Sequence, residues 1–387
     1  MINLAGRSAI VGVGETEQVR APNRSVQAMC VEAALAALAD AGLTPKDVDA
    51  VMTDDEMAPS VMTASDMAAA LNIERTFMAQ APSGGAGYAY APLLAAMAME
   101  SGEASVVLCF LGLDFGTQAP GAATYDYVNE PPDRAEFEIP FGFVGTPVYY
   151  AMAAQRYKAM YGLTAQQMGS LAIAIRNHGA EHPGAHRRKH VTMDDYLGSP
   201  MISDPLRLLD CCVRSSGAAA FVITSPERAR DLRQRPVTML GAGFSSTNVV
   251  RRHFWVQRPE FPGTSTSAAA KRAFNMAGLT PADVDLAGVQ DPYTISALTQ
   301  IESCGFCAVG EGGSFVENGR VAVGGELPIN THGGQLSHSY LMSVPHIVEA
   351  VRQLRHEAPA NQVEGAEVAL VSGMGPGDNG VLILGRG

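Results

Sequence analysis

The chain repeats itself. Residues 36–52 read AALADAGLTPKDVDAVM, and residues 272–289 read RAFNMAGLTPADVDLAGV. Each stretch ends an Ala-rich amphipathic helix pattern with a glycine, Gly42 or Gly278, and places Pro45 or Pro281 just beyond it. That is helix-stop chemistry, because glycine accepts the left-handed cap and proline cannot continue the helix. Further pairs follow in the same order. AIVGVGE from Ala9 matches TMLGAGF from Thr238, and PSGGAGYAYAPLLAAM from Pro82 matches HGGQLSHSYLMSVPHIVEAV from His332. EASVVLCF from Glu103 matches AEVALVSG from Ala366. Matches in a constant order imply two homologous halves, each alternating strands with helices in the α/β manner.

The 387 residues suit two or three domains or one large layered domain. At 47% hydrophobic and 17% charged, the chain is globular. Its 27 Lys and Arg against 39 Asp and Glu give a net charge of −12, which argues against nucleic acid as a partner. Six cysteines are scattered through apolar segments, as expected of free thiols in a reducing compartment. One C-x-x-C, Cys304 to Cys307, is too few ligands for a structural zinc. The N-terminus lacks a signal-peptide pattern, and no apolar run reaches about 18 residues. A cytoplasmic location, no membrane span and no bound cofactor are expected.

Between the halves lies a segment, roughly 115–235, richer in charge, proline and tyrosine. It reads as two helices and a basic loop, and helices over a site make a natural substrate lid. The loop HPGAHRRKH, His182 to His190, invites a metal reading. Pro183-Gly184 breaks the helix that i, i+4 ligation needs, so a solvated basic loop is expected and no metal. Arg187 and Arg188 stand out in an acidic chain and are candidates to meet the phosphates of an anionic ligand.

RNHGAEHPGAHRRKHVTMDDYLGSPMISDPLRLLDCCVRSSGAAAFVITSPERA, GFCAVGEGGSFVENGR and LPINTHGGQLSHS resemble the sterol-carrier-type thiolases and the lipid-transfer-protein branch beside them. The resemblance covers nearly the whole chain. It implies a thiolase fold: two pseudo-repeated halves, 1–114 and 236–387, in α-β-α-β-α layers with 115–235 as an inserted loop domain.

The departures from that family matter most. The thiolase cysteine belongs to a C-x-[ST]-G turn, which here reads Ala81-Pro82-Ser83-Gly84. The histidine of the thiolase G-H-P turn falls on Tyr340, and the last cysteine falls on Val371 or Ser372. Claisen chemistry needs a thiolate to hold the acyl group, and Ala81 cannot form a thioester. Ser83 has no evident base beside it. The Gly-rich turns remain, and backbone N–H groups there could stabilise an enolate.

The branch includes aldolases that cleave steroid side-chain CoA thioesters by a retro-aldol reaction and use tyrosines. Tyr293 and Tyr340 match those two tyrosines, and Gln290 falls on the polar position of the thiolase Asn or His segment. The resemblance thus implies Tyr340 as base toward the β-hydroxyl and Tyr293 as the protonating acid. Gln290 and backbone groups near Ser83 and Gly373 would hold the enolate. His338, two residues before Tyr340, is an alternative base; His332 and His346 read as structural. The expected substrate is a β-hydroxyacyl-CoA. The expected partners are a second copy of the chain and a small zinc-ribbon/OB-fold protein. A thiolase-like acyltransferase and a catalytically silent subunit remain as alternatives.

Overall fold

The computed structural model describes residues 3–54, 62–117, 136, 139–143, 145–246, 261–262, 265–375 and 377–387. The first half runs β1 (Ala9–Glu15), α1 (Val26–Ala41), β2 (Ala50–Met52), α2 (Ala64–Leu71), β3 (Phe77–Met78), α3 (Gly85–Glu100) and β4 (Val106–Asp114). Next come α4 (Thr146–Tyr161), α5 (Ala165–Glu181), α6 (Met193–Gly198), the short β5 (Met201–Ser203) and β6 (Leu206–Arg207), β7 (Ser216–Thr224) and α7 (Pro226–Ala229). The second half runs β8 (Val237–Ser246), α8 (Ser265–Ala277), β9 (Leu286–Val289), α9 (Thr294–Ser303) and α10 (Gly312–Phe315). After a π-turn (Gly334–His338) it closes with α11 (Val344–Arg355), β10 (Val368–Met374) and β11 (Asp378–Arg386).

The repeat is visible in the strand order, β3-β2-β4-β7-β1-β8-β11-β10-β9. β2 pairs parallel with β4, as β9 does with β10. β7 lies antiparallel between β4 and β1, as β11 lies between β10 and β8. The halves join where Ala9 and Ile10 pair with Thr238 and Val237. β7 falls within the 115–235 stretch, yet it completes the sheet of the first half.

The side chains sort into layers by the period of two along each strand. On β4, Val106, Leu108 and Phe110 join α1 and α2 in an outer core. Val107, Cys109 and Leu111 face the other way, into a central core built on α3 and α11. On β10, Ala369 and Val371 share that central core, whereas Leu370 packs with α4, α5, α8 and α9 on the far side. Two helices thus lie between two half-sheets, with further helices outside each. Full burial of one such Val, Leu or Phe side chain stabilises the fold by about 1.5–3 kcal/mol.

The paired G-x-G motifs serve this packing. A side chain on Gly12 or Gly14 would overlap the Ala37 or Ala33 carbonyl of α1. One on Gly241 or Gly243 would overlap the Ala273 or Ala269 carbonyl of α8. The repeated turns also match. Asp47 Oδ2 accepts the Thr44 amide at 2.9 Å, and Asp283 Oδ2 accepts the Thr280 amide at 2.7 Å.

Candidate active site

The first Gly-rich turn opens α3, a 16-residue helix whose leading N–H groups have no partner within the helix. Asp54, two residues past β2, accepts the Gly84 amide at 2.6 Å and holds the turn. Ala81 is fully buried, and its amide donates to the Thr53 carbonyl at 3.0 Å. Its place therefore offers only a methyl group. Ser83 sits at φ 64, and its hydroxyl donates to the Asp378 carboxylate. The sequence shows no base beside Ser83, but the fold brings the Asp378 carboxylate to it from β11, 295 residues on, where it anchors the turn.

The second Gly-rich turn does not open a helix directly. It forms the π-turn, then breaks at Met342 (φ 52), and α11 starts only after Ser343. Single π-turns concentrate at functional sites because they re-aim the residues that follow. Asp291 fixes this one: its carboxylate accepts the Gln335 amide at 2.7 Å and lies 3.2 Å from His346 Nε2. A side chain on Gly334 would overlap that carboxylate.

The two halves meet over bare backbone. Ser343 donates to the Gly85 carbonyl at 2.7 Å. A side chain on Gly373 would overlap the Gly85 carbonyl, and one on Gly375 the Ser83 carbonyl. Pro376 of the same loop lies outside the described residues. Gln290 Oε1 accepts the Met374 amide at 2.7 Å, and its Nε2 lies 3.8 Å from Met342 Sδ. Gln290 is 3% exposed. These contacts make it a clamp between the loops, with its oxygen already engaged.

Tyr293 caps α9 and is buried. Its hydroxyl lies 2.9 Å from Thr146 Oγ1, and its ring stacks on Tyr150 with centroids 4.3 Å apart. Burial pushes the phenol well above its ordinary value of 10. Cys212, Cys211 and Tyr340 add to the rise, and the Thr146 bond opposes it. Tyr340 is partly exposed and packs on Phe115, centroids 4.7 Å apart, with the Arg214 guanidinium 4.7 Å from the centre of the Phe115 ring. The Tyr340 amide donates to Ser215 Oγ at 3.0 Å. The fold thus brings the two tyrosines within electrostatic reach of each other and gives each an aromatic companion.

His338 ends the π-turn, and its Nδ1 bonds Ser339 Oγ at 2.9 Å. Burial, with His182 and Arg352 nearby, lowers His338 to about 3 against the pull of Glu15. It is neutral at physiological pH and 1% exposed. Arg187 and Arg188 lie exposed on the loop after α5, where the Arg187 amide donates to the Ser337 carbonyl at 2.9 Å. Thr146, Tyr150, Phe115, Asp54 and Asp291 were not legible as site residues in the sequence. Asp291 stands beside the motif that carries Tyr293, but nothing in its spacing says which turn it holds.

Comparison with known proteins identifies the family. Residues 247–386 match the thiolase C-terminal domain-like family. The chain is 39% identical over 391 residues to a 17-hydroxy-3-oxo-4-pregnene-20-carboxyl-CoA lyase of Mycobacterium tuberculosis, covering 98% of this chain and 100% of that one. It is 35% identical over 393 residues to a steroid side-chain-cleaving aldolase of Thermomonospora curvata, covering 98% of each. Among solved structures, an Ltp2-ChsH2(DUF35) aldolase superposes with a TM-score of 0.90 at 34% identity, over 100% of this chain and 99% of that one. The fold and the first Gly-rich turn define a thiolase-fold protein with Ala81 at the nucleophile's place. The chain belongs to the sterol-carrier-type thiolase-like family, in the branch that holds these side-chain-cleaving aldolases.

Proposed function

We propose that this protein is a carbon–carbon lyase that cleaves a β-hydroxyacyl-CoA, a steroid side-chain thioester, by a retro-aldol reaction. The observation that carries the reading is the buried Ala81 at the nucleophile's place, and the electrostatic interaction of Tyr340 with Tyr293 supports it. Tyr340, on the open side, takes the proton of the β-hydroxyl. The Cα–Cβ bond then breaks, Cβ becomes the carbonyl carbon of a ketone or aldehyde, and its electrons pass into the thioester enolate. Tyr293, held protonated by burial, donates to Cα and releases a short acyl-CoA such as acetyl-CoA or propionyl-CoA. Solvent returns the proton from Tyr340 to Tyr293. The enolate oxygen is held at the junction of the α3 N-terminus with Gly373, where backbone dipoles face developing negative charge.

The aromatic rings of Phe115, Tyr150 and Tyr293 suit a flat apolar acyl group. The exposed basic loop with Arg187 and Arg188 suits CoA phosphates. The protein works in the cytoplasm as a homodimer with a small acyl-CoA-associated zinc-ribbon/OB-fold partner. Three observations support this. The edge strand β3 leaves Met78 81% exposed, no helix among the described residues can cross a membrane, and the solved relative's name pairs Ltp2 with ChsH2(DUF35).

The test is turnover of a panel of β-hydroxyacyl-CoAs, with mass spectrometry of both products, with and without a co-purified partner. Matched ketone and shortened acyl-CoA are expected. Transfer of an acyl group to free CoA, or no turnover of any substrate with the partner present, overturns the reading.

A further inference from the structure

A second polar cluster gathers residues from three elements. Glu15 ends β1, His182 follows α5, and His338 ends the π-turn. One ligand atom from each lies within 4.8 Å of the other two. His182 and His338 are 2% and 1% exposed, and the Nε2 of each has no hydrogen-bond partner. His338 Nε2 stands 3.6 Å from Glu15 Oε2, too far for a hydrogen bond. The ring of His332, with neither nitrogen partnered, is centred 5.0 Å from that of His338, and Glu349 Oε2 is unpartnered as well. Buried polar atoms ordinarily find partners, so several unsatisfied ones in one place call for an ion or water.

We propose that Glu15, His182 and His338 bind a divalent transition-metal ion of the zinc class. Two imidazoles and a carboxylate are donors suited to such an ion. Tetrahedral donors about 2.0–2.1 Å from zinc lie roughly 3.4 Å from one another, close to the spacing already present between Glu15 and His338. Arg352 bonds the other Glu15 oxygen and orients the carboxylate from outside. His182 needs one adjustment. Its Nδ1 now accepts the Gly184 amide at 3.2 Å; ligation through Nε2 puts the ring proton on Nδ1, so the Pro183-Gly184 turn releases that bond. The ion is structural: it ties β1, the basic loop and the π-turn together. The site does not depend on the reaction proposed above.

Untagged protein is dialysed against zinc, freed of excess, and analysed by plasma mass spectrometry. Metal-stripped protein is titrated in parallel with cobalt. The expected result is one ion per chain and cobalt d–d absorption of a four- or five-coordinate N/O site. His338→Ala and Glu15→Gln, checked for folding by circular dichroism, lose both signals. His190→Ala, which removes an exposed ring 2.6 Å from Glu181, keeps them. Wild-type protein that retains no zinc and shows no cobalt spectrum overturns the proposal, whatever the variants do. So does loss of the ion on His190→Ala but not on His338→Ala, which marks an adventitious surface ion only.

Discussion

Thr146 Oγ1 lies 2.9 Å from the hydroxyl of Tyr293, across 147 residues of sequence. The bond joins the first turn of α4 to the cap of α9 and fixes the phenol in a buried site. Thr146→Val removes the partner and leaves a buried hydroxyl unsatisfied, at a cost of about 1–3 kcal/mol. If that cost falls on the transition state, kcat drops roughly 5- to 150-fold. KM changes little, and Thr146→Ser retains most of the activity. Steady-state kinetics on the three forms check this, and an unchanged kcat in Thr146→Val removes Thr146 from the site.

Tyr293→Phe and Tyr340→Phe each remove one proton-transfer group, which ordinarily costs about 10²–10⁴-fold in rate. Substrate binding, followed by calorimetry, persists in both. In deuterium oxide the wild-type acyl-CoA product carries one solvent deuteron at Cα. Near-wild-type turnover in both variants, or a product without deuterium, refutes the assigned chemistry.

The pH dependence has a definite sign. Burial raises Tyr293, so the phenol keeps its proton through the neutral and alkaline range in which a free tyrosine would begin to lose it, near a pKa of about 10. As the proton donor it stays competent there. The kcat profile therefore shows no alkaline decline traceable to Tyr293 below pH about 10. A decline that moves with Tyr293→Phe at lower pH contradicts this.

Gly373→Ala and Gly198→Ala make a matched pair. A methyl group on Gly373 overlaps the Gly85 carbonyl, which is backbone and cannot swing aside; one on Gly198 meets nothing within 4 Å. Overpacking of this kind costs about 1–3 kcal/mol. Gly373→Ala lowers the denaturation midpoint and turnover together, while Gly198→Ala leaves both near wild type. Chemical denaturation with parallel kinetics separates the outcomes.

Iodoacetamide leaves activity largely intact. The six cysteines are free, and Cys30, Cys109 and Cys304 are buried. Burial pushes Cys30, Cys304 and Cys307 up to about 12, and raises Cys109 further. Burial, helped by Asp210, does the same for Cys211, and Cys212 beside Tyr293 is raised further still. Alkylation needs the thiolate, which these groups scarcely populate at neutral pH. Rapid inactivation prevented by substrate would place a reactive thiol in the site.

The two halves and their alternation of strands and helices were legible because each rests on local rules: periodicity, caps and segments repeated in a constant order. β7 was hidden by chain order, since a run of small and apolar residues after a long insertion gives no hint that it fills a gap between β4 and β1. The tyrosines came only through family resemblance. Thr146 was invisible because its partner is tertiary. His182 was set aside on the argument that a broken helix cannot ligate in register. That argument is sound for one segment, but it is silent about donors that the fold gathers from three.

Ala81 has a consequence for the rhythm of turnover. A thiolate at that point would let one product depart while the enzyme kept part of the substrate as a covalent record. With a buried methyl group there, the protein carries no such memory between encounters. Each substrate must be gripped, split and surrendered in a single visit, both fragments are present together before either leaves, and the same pocket must be able to run the event backwards when both are supplied.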